Sequence, residues 1–143
     1  MLKQFLSSKT SSAQANIALL ILRIGIGIIM IPHGYQKLIN YAELEDKFLD
    51  FMGLGKSISL SLTIGAELFC SVLLVIGLFT RFSLLPLIIA MLVAVFNAHH
   101  GEIFGDGEHA FLYLLVYIYL IITGAGKYSV DGLLFDKPAS TIN

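Results

Sequence analysis

Four long apolar runs constrain this chain more than anything else in it. They cover residues 15–35, 57–80, 82–100 and 108–126. With their ends slightly extended, each approaches the roughly 20 residues of helix that cross a bilayer core about 30 Å thick. Inside lipid every backbone N–H and C=O must find a partner within the protein, which leaves helices or a closed barrel. The runs are continuous rather than alternating, so they predict helices. Composition agrees: 57% of the residues are hydrophobic and only 13% are charged, against about 25% charged in a soluble domain. The expected fold is an all-α, integral-membrane, four-transmembrane antiparallel bundle, with residues 1–143 forming a single membrane domain.

The connections differ in kind. Runs two and three meet at "TRF", a tight turn that makes them antiparallel neighbours. Runs one and two are separated by Gln36–Lys56. Leu38, Tyr41, Leu44, Phe48 and Phe51 recur there every three or four residues, which predicts an interfacial amphipathic helix ended by Gly53 and Gly55. Lys and Arg counts orient the bundle. Lys3, Lys9, Arg81, Lys127 and Lys137 would lie inside, and Lys37, Lys47 and Lys56 outside. Both termini are therefore expected in the cytoplasm. The small residues of "SAQA" precede the first apolar run, where a signal cleavage site would follow it. The net charge of −1 and the absence of a basic block argue against a nucleic-acid partner. The single cysteine, Cys70, excludes an internal disulfide and a CxxC redox or zinc motif.

Two charges fall well within the runs, away from their ends: Arg23 in the first and Glu67 in the second. A lone charge at the centre of a span costs about 2.5–3.5 kcal/mol on insertion scales, so such groups face the bundle and pair. With the two helices antiparallel and their ends level, Arg23 and Glu67 lie about one turn apart, and the expectation is a buried ion pair. Thr63, Glu67 and Ser71 form a polar stripe. Ser57, Ser61 and Gly65 form a small-residue ridge of the kind that lets helices approach closely. Small faces on several helices would also permit a homodimer.

Alternation of four spans carries every histidine to one end. His33 and Lys37 close the first helix. Asn97, His99, His100 and Glu102 follow the third. Glu108 and His109 open the fourth, with Tyr113 and Tyr117 on the His109 face. A metal is disfavoured, because adjacent His99 and His100 would point about 100° apart on a helix and no ligand spacing such as HExxH is present. Haem has no specific sign here. A proton-linked site for a quinone or small aromatic fits the residue types: imidazoles titrate near neutral pH, carboxylates relay protons and tyrosines line a ring-shaped slot. The plain alternative is a solvated hairpin with an aromatic belt.

In "LRIGIGIIMIPHGYQKL", "GAELFCSVLLVIGLFTR", "NAHHGEIF" and "GAGKYSVDGLL", from Leu22 to Leu134, the chain resembles the DoxX family of small four-helix bacterial membrane proteins. Arg23, His33, Gly34, Lys37, Glu67, Arg81, His99, Glu108, Lys127 and Asp131 carry the pattern. The resemblance implies a multi-pass protein of the bacterial inner membrane and a link to quinone-dependent oxidoreduction or to oxidative stress. It carries no shared catalytic mechanism. Three functions are therefore expected to compete: a quinone-binding component of an oxidoreductase system with soluble or membrane redox partners, a non-catalytic scaffold for such partners, and a small transporter or efflux aid.

Overall fold

The computed structural model describes residues 10–136. Lys3, Lys9 and Lys137, used in the orientation count, lie outside them. Among the described residues six helices form: α1 Ser12–Ile39, α2 Tyr41–Leu44, α3 Lys56–Ile76, α4 Thr80–Ala98, α5 Glu108–Thr123 and α6 Val130–Phe135. Three of them, α1, α3 and α4, are long and apolar enough to cross a membrane. The fourth apolar run becomes α5, a shorter apolar helix of 16 residues, about 24 Å at 1.5 Å per residue.

The ends of the helices explain their limits. Ser11 and Gln14 cap each other's backbone at the start of α1, a capping box that satisfies two orphan N–H groups. Helix α3 stops at Gly77, which takes a left-handed φ of 75°, a conformation that glycine adopts without the Cβ clash. The turn that follows provides no side-chain cap for α4. Asp131 of α6 supplies it, accepting from the backbone N–H of Phe79 at 2.7 Å and of Thr80 at 2.8 Å. A carboxylate at a helix N-terminus also meets the favourable end of the macrodipole.

Helix α1 packs mainly on α3, and α4 packs on α5 and on the middle of α3. Met30, Leu74, Leu87, Val95, Leu114 and Leu120 are among the buried side chains between them. Outward faces stay apolar. Ile21, Ile28, Phe69, Phe82, Leu112 and Ile122 are all exposed, a pattern that suits contact with lipid.

Glycines in α1 set the register between α1 and α3. A Cβ on Gly34 would lie 2.6 Å from the backbone nitrogen of Leu68 and 2.8 Å from the carbonyl carbon of Glu67. One on Gly27 would lie 2.6 Å from a Val75 methyl and 3.2 Å from the Ser71 carbonyl oxygen. The expected ridge does not do this work. Ser61 and Gly65 are exposed and nothing lies within 4 Å of a Cβ placed on Gly65, while the Tyr41 hydroxyl bonds to Ser57 and Ser61. Gly34→Ala should therefore destabilise by about 1–3 kcal/mol, because backbone and not a flexible side chain must give way. Gly25→Ala meets nothing within 4 Å and should be neutral or gain up to about 1 kcal/mol of helix propensity. Unfolding midpoints in detergent compare the two.

The interfacial helix expected across Gln36–Lys56 is mostly absent. Gln36–Ile39 continue α1, Tyr41–Leu44 form a single further helical turn, and turns and irregular chain follow to the start of α3 at Lys56. Local bonds hold this connector: Asp50 accepts from the N–H of Gly55 at 2.8 Å, the Ser59 hydroxyl accepts from the N–H of Phe51 at 3.0 Å, and the Ser57 hydroxyl bonds to Glu45. Side chain–backbone bonds of this kind compete with a continued helix.

Candidate functional site

Arg23 and Glu67 are both buried, as the cost of charge in lipid requires, but they do not pair with each other. Arg23 lies level with the end of α3. Its guanidinium donates to the carbonyls of Leu74 at 3.1 Å, Val75 at 3.2 Å and Tyr128 at 2.7 Å. Two of these acceptors are among the last carbonyls of α3; Leu74 also accepts from the N–H of Gly77 at 3.1 Å, and a cation there meets the negative end of the macrodipole. Glu67 instead accepts from the Lys37 ammonium at 2.6 Å. The register explains the correction. Glu67 lies beside Gly34, one turn from Lys37, whereas Leu74 and Val75 lie about 11–12 Å further along α3. The ends of α1 and α3 are not level, because the first turns of α1 run past α3 to Asn16, whose side chain receives the N–H of Lys127.

The Lys37–Glu67 pair forms the polar end of a cavity of about 660 Å³ bounded by the end of α1, the connector, α3 and α4. Phe48, Phe51, Ala66, Ala90 and Val93 give it apolar walls, and His99 reaches it from the end of α4. Of the hydroxyls on its wall, Ser59 donates to the Gly55 carbonyl and Thr63 to the Ser59 carbonyl. Lys37, Glu67 and His99, together with the exposed Lys47, are thus the charged or titratable groups on its wall. The wall includes Leu62 and Ile89, which are also exposed on the outer surface, so the cavity opens sideways between α3 and α4. From Pro86 to His99 it follows about 20 Å of α4. Two π-helical segments flank it, Gly65–Cys70 holding Glu67 and Ala94–Ala98 leading to His99. Such segments occur often at functional sites.

The other expected site residues separate into two groups. The His33 ring meets Tyr113 edge-on at 6.1 Å, and Tyr113 lies 6.0 Å from Tyr117. Tyr117 is wholly buried. These rings pack against one another where α1 meets α5, and none of the three lines the cavity beside Lys37 and Glu67. Asn97, His100, Glu108 and His109 are exposed on the α4–α5 hairpin, with His100 at a left-handed φ of 51°. All four histidines do reach one end, yet among the described residues no three His, Cys, Asp or Glu side chains gather as a metal site.

Sequence reasoning missed Phe48, Phe51, Pro86 and Ala90, whose apolar side chains carry no chemical mark of a site. It also left Asp131 without a role, because a cap supplied from 51 or 52 residues away has no local signal.

The cavity residues Lys37, Glu67 and His99 all fall within residues 18–100, which match the profile of the DoxX family. The chain belongs to the DoxX family. Two relatives in Haemophilus influenzae are each described as an uncharacterized protein. One is 30% identical over 134 residues, covering 88% of this chain and 89% of the relative. The other is 37% identical over 78 residues, covering 50% of this chain and 58% of the relative. No solved structure matches. As a DoxX protein with long apolar helices, the chain is a multi-pass membrane protein.

Proposed function

We propose that this DoxX protein is an inner-membrane component of a quinone-linked oxidoreductase or oxidative-stress system, and that it takes a quinone or similar small aromatic into the cavity beside Lys37 and Glu67. The observation that carries this reading is a cavity that holds the Lys37–Glu67 ion pair on a wall otherwise made mostly of apolar residues, Leu62 and Ile89 among them. Its volume lies within the roughly 300–1,000 Å³ of small-molecule sites. A ligand dissolved in the bilayer would enter between α3 and α4 with its ring toward the pair and its tail along the groove. Lys37 has two N–H donors beyond the one given to Glu67 and can hold a ring carbonyl. Glu67 accepts from a ring hydroxyl, and His99 can exchange a proton.

In this reading α5 completes a four-span bundle, since its outward residues Leu112, Leu115, Ile118 and Ile122 are exposed and apolar over its length. The N-terminus and C-terminus are cytoplasmic. Arg23 at the α6 end adds to Arg81 and Lys127 there, while Lys37 at the other end is neutralised by Glu67, which sharpens the positive-inside bias. The scaffold alternative makes no demand on a cavity of this shape, whereas the transporter alternative would use it and would show as substrate flux that depends on Glu67.

Ala90→Phe tests the reading without touching the ion pair, because it places a ring in the groove. Wild-type protein purified in mild detergent should retain ubiquinone or menaquinone in its lipid extract and bind added short-chain quinone. The variant should bind at least about ten-fold more weakly, a loss of about 1.4 kcal/mol. Equal binding by both proteins, or none by the wild type, would refute it.

A further inference from the structure

At the opposite end of the bundle a second, larger cleft of about 1050 Å³ lies between the start of α4, the end of α5 and α6. It plays no part in the proposed quinone site. Two cations line it, Arg81 and Lys127. Arg81 has one long contact among the described residues, 3.5 Å to the carbonyl of Ile122, at the limit of a useful hydrogen bond. Its guanidinium lies over Gly124, where a Cβ would come 3.6 Å from Nη2. The Lys127 side chain is exposed and has no hydrogen bond or ion pair among the described residues. At the floor, Thr80 is 1% exposed and its hydroxyl has no partner among the described residues.

Two carboxylates also line the cleft. Asp131 has each of its oxygens engaged by a backbone N–H of α4, and Asp136 is exposed at the rim. The formal charges of the cleft balance, but both Asp131 oxygens are turned to the N-terminus of α4, whose dipole offsets part of that charge, so Arg81 and Lys127 are the side chains free to meet an anion. Beside them Phe79, Phe82, Leu133 and Phe135 are exposed, Phe82 by 75%. The cleft sits where α4 begins and α5 ends, at headgroup depth for helices that cross a bilayer.

We infer that this cleft binds the phosphate headgroup of an anionic phospholipid, held by Arg81 and Lys127, with the acyl chains lying on the exposed aromatic rim. Guanidinium groups suit phosphate because their planar fork matches its oxygens, and basic pockets between membrane helices are ready sites for anionic headgroups. The aromatic rim selects a lipid over free phosphate, which would gain nothing from apolar contact.

Native mass spectrometry of the full chain in detergent, titrated with phosphatidylglycerol and with phosphatidylcholine of the same acyl chains, tests the inference. Phosphatidylglycerol should bind more tightly. Arg81→Gln with Lys127→Gln should weaken it about thirty-fold, two charges at about 1 kcal/mol each, and should weaken phosphatidylcholine, whose choline cation offsets its phosphate, by less. Lys127→Gln alone, at an exposed position, should weaken it about five-fold if the double variant fails to fold. Lys56→Gln removes the same charge at the other end and should change nothing. Equal affinity of the wild type for the two lipids, or full phosphatidylglycerol binding by the variants, would overturn the site. Glycerol 3-phosphate binding as tightly as the lipid would overturn the lipid assignment.

Discussion

Arg23→Leu should lower stability by about 3–5 kcal/mol, enough to prevent accumulation of folded protein under conditions where the wild type is marginal. The side chain is 1% exposed and donates to three carbonyls. Two of those carbonyls end α3 and the third fixes the segment that leads from α5 into α6. Each lost bond from a charged donor is worth about 1.5–3 kcal/mol; the Leu74 carbonyl keeps the N–H of Gly77, while those of Val75 and Tyr128 lose their side-chain donor. The site has no room for compensation, since a Cβ on neighbouring Gly77 would come within 1.8 Å of Nη1. Arg23→Lys should retain part of the stability, because an ammonium keeps the charge at the helix end and loses the fork. Unfolding titrations should also show Arg23→Leu and Glu67→Gln adding independently, within about 0.5 kcal/mol. Strong coupling between them would restore the ion pair that the register excludes.

That independence shows which features the sequence encodes openly. The helical runs, the burial of Arg23 and Glu67 and the gathering of histidines at one end all follow from hydropathy and alternation, which depend on local composition. The partners of the two charges depend on interhelical register, and a single sequence gives no ruler for it. Gly27 and Gly34 set the register by letting α3 lie against the backbone of α1, but glycines of the same appearance at positions 25 and 65 face open space. Lys37 was legible as a residue at the end of a helix, and its choice of Glu67 was not. The same limit hid the cavity. Tyr113 and Tyr117 have the look of slot-lining residues, yet their rings pack against one another and His33, and the cavity lies on the side where the connector folds back with Phe48 and Phe51. The connector itself had helical periodicity without enough continuous bonding to keep it helical, because Asp50, Ser57 and Ser59 draw the chain into turns.

Lys37 and Glu67 should respond unequally to removal, and the inequality separates their structural role from binding. Glu67 is 5% exposed, so Lys37→Met leaves a carboxylate buried without its cation, at a cost of about 3 kcal/mol, the lower end for a broken buried pair. The Lys37 side chain is 26% exposed and can turn toward the surface once Glu67 is neutral. Glu67→Gln should therefore cost about 1 kcal/mol. Combining them removes both charges, and the double variant should be at least about 1.5 kcal/mol more stable than the sum of the single losses predicts. Quinone retention should follow a different order. Both single variants should bind weakly, and the double variant, although it regains stability, should bind as weakly as the worse of the two, because neither the ammonium nor the carboxylate remains to meet the ring. Unfolding midpoints and bound quinone measured on the same four proteins make the comparison. A double variant that regains binding along with stability would show that the pair only holds α1 against α3 and that any ligand is read by other residues.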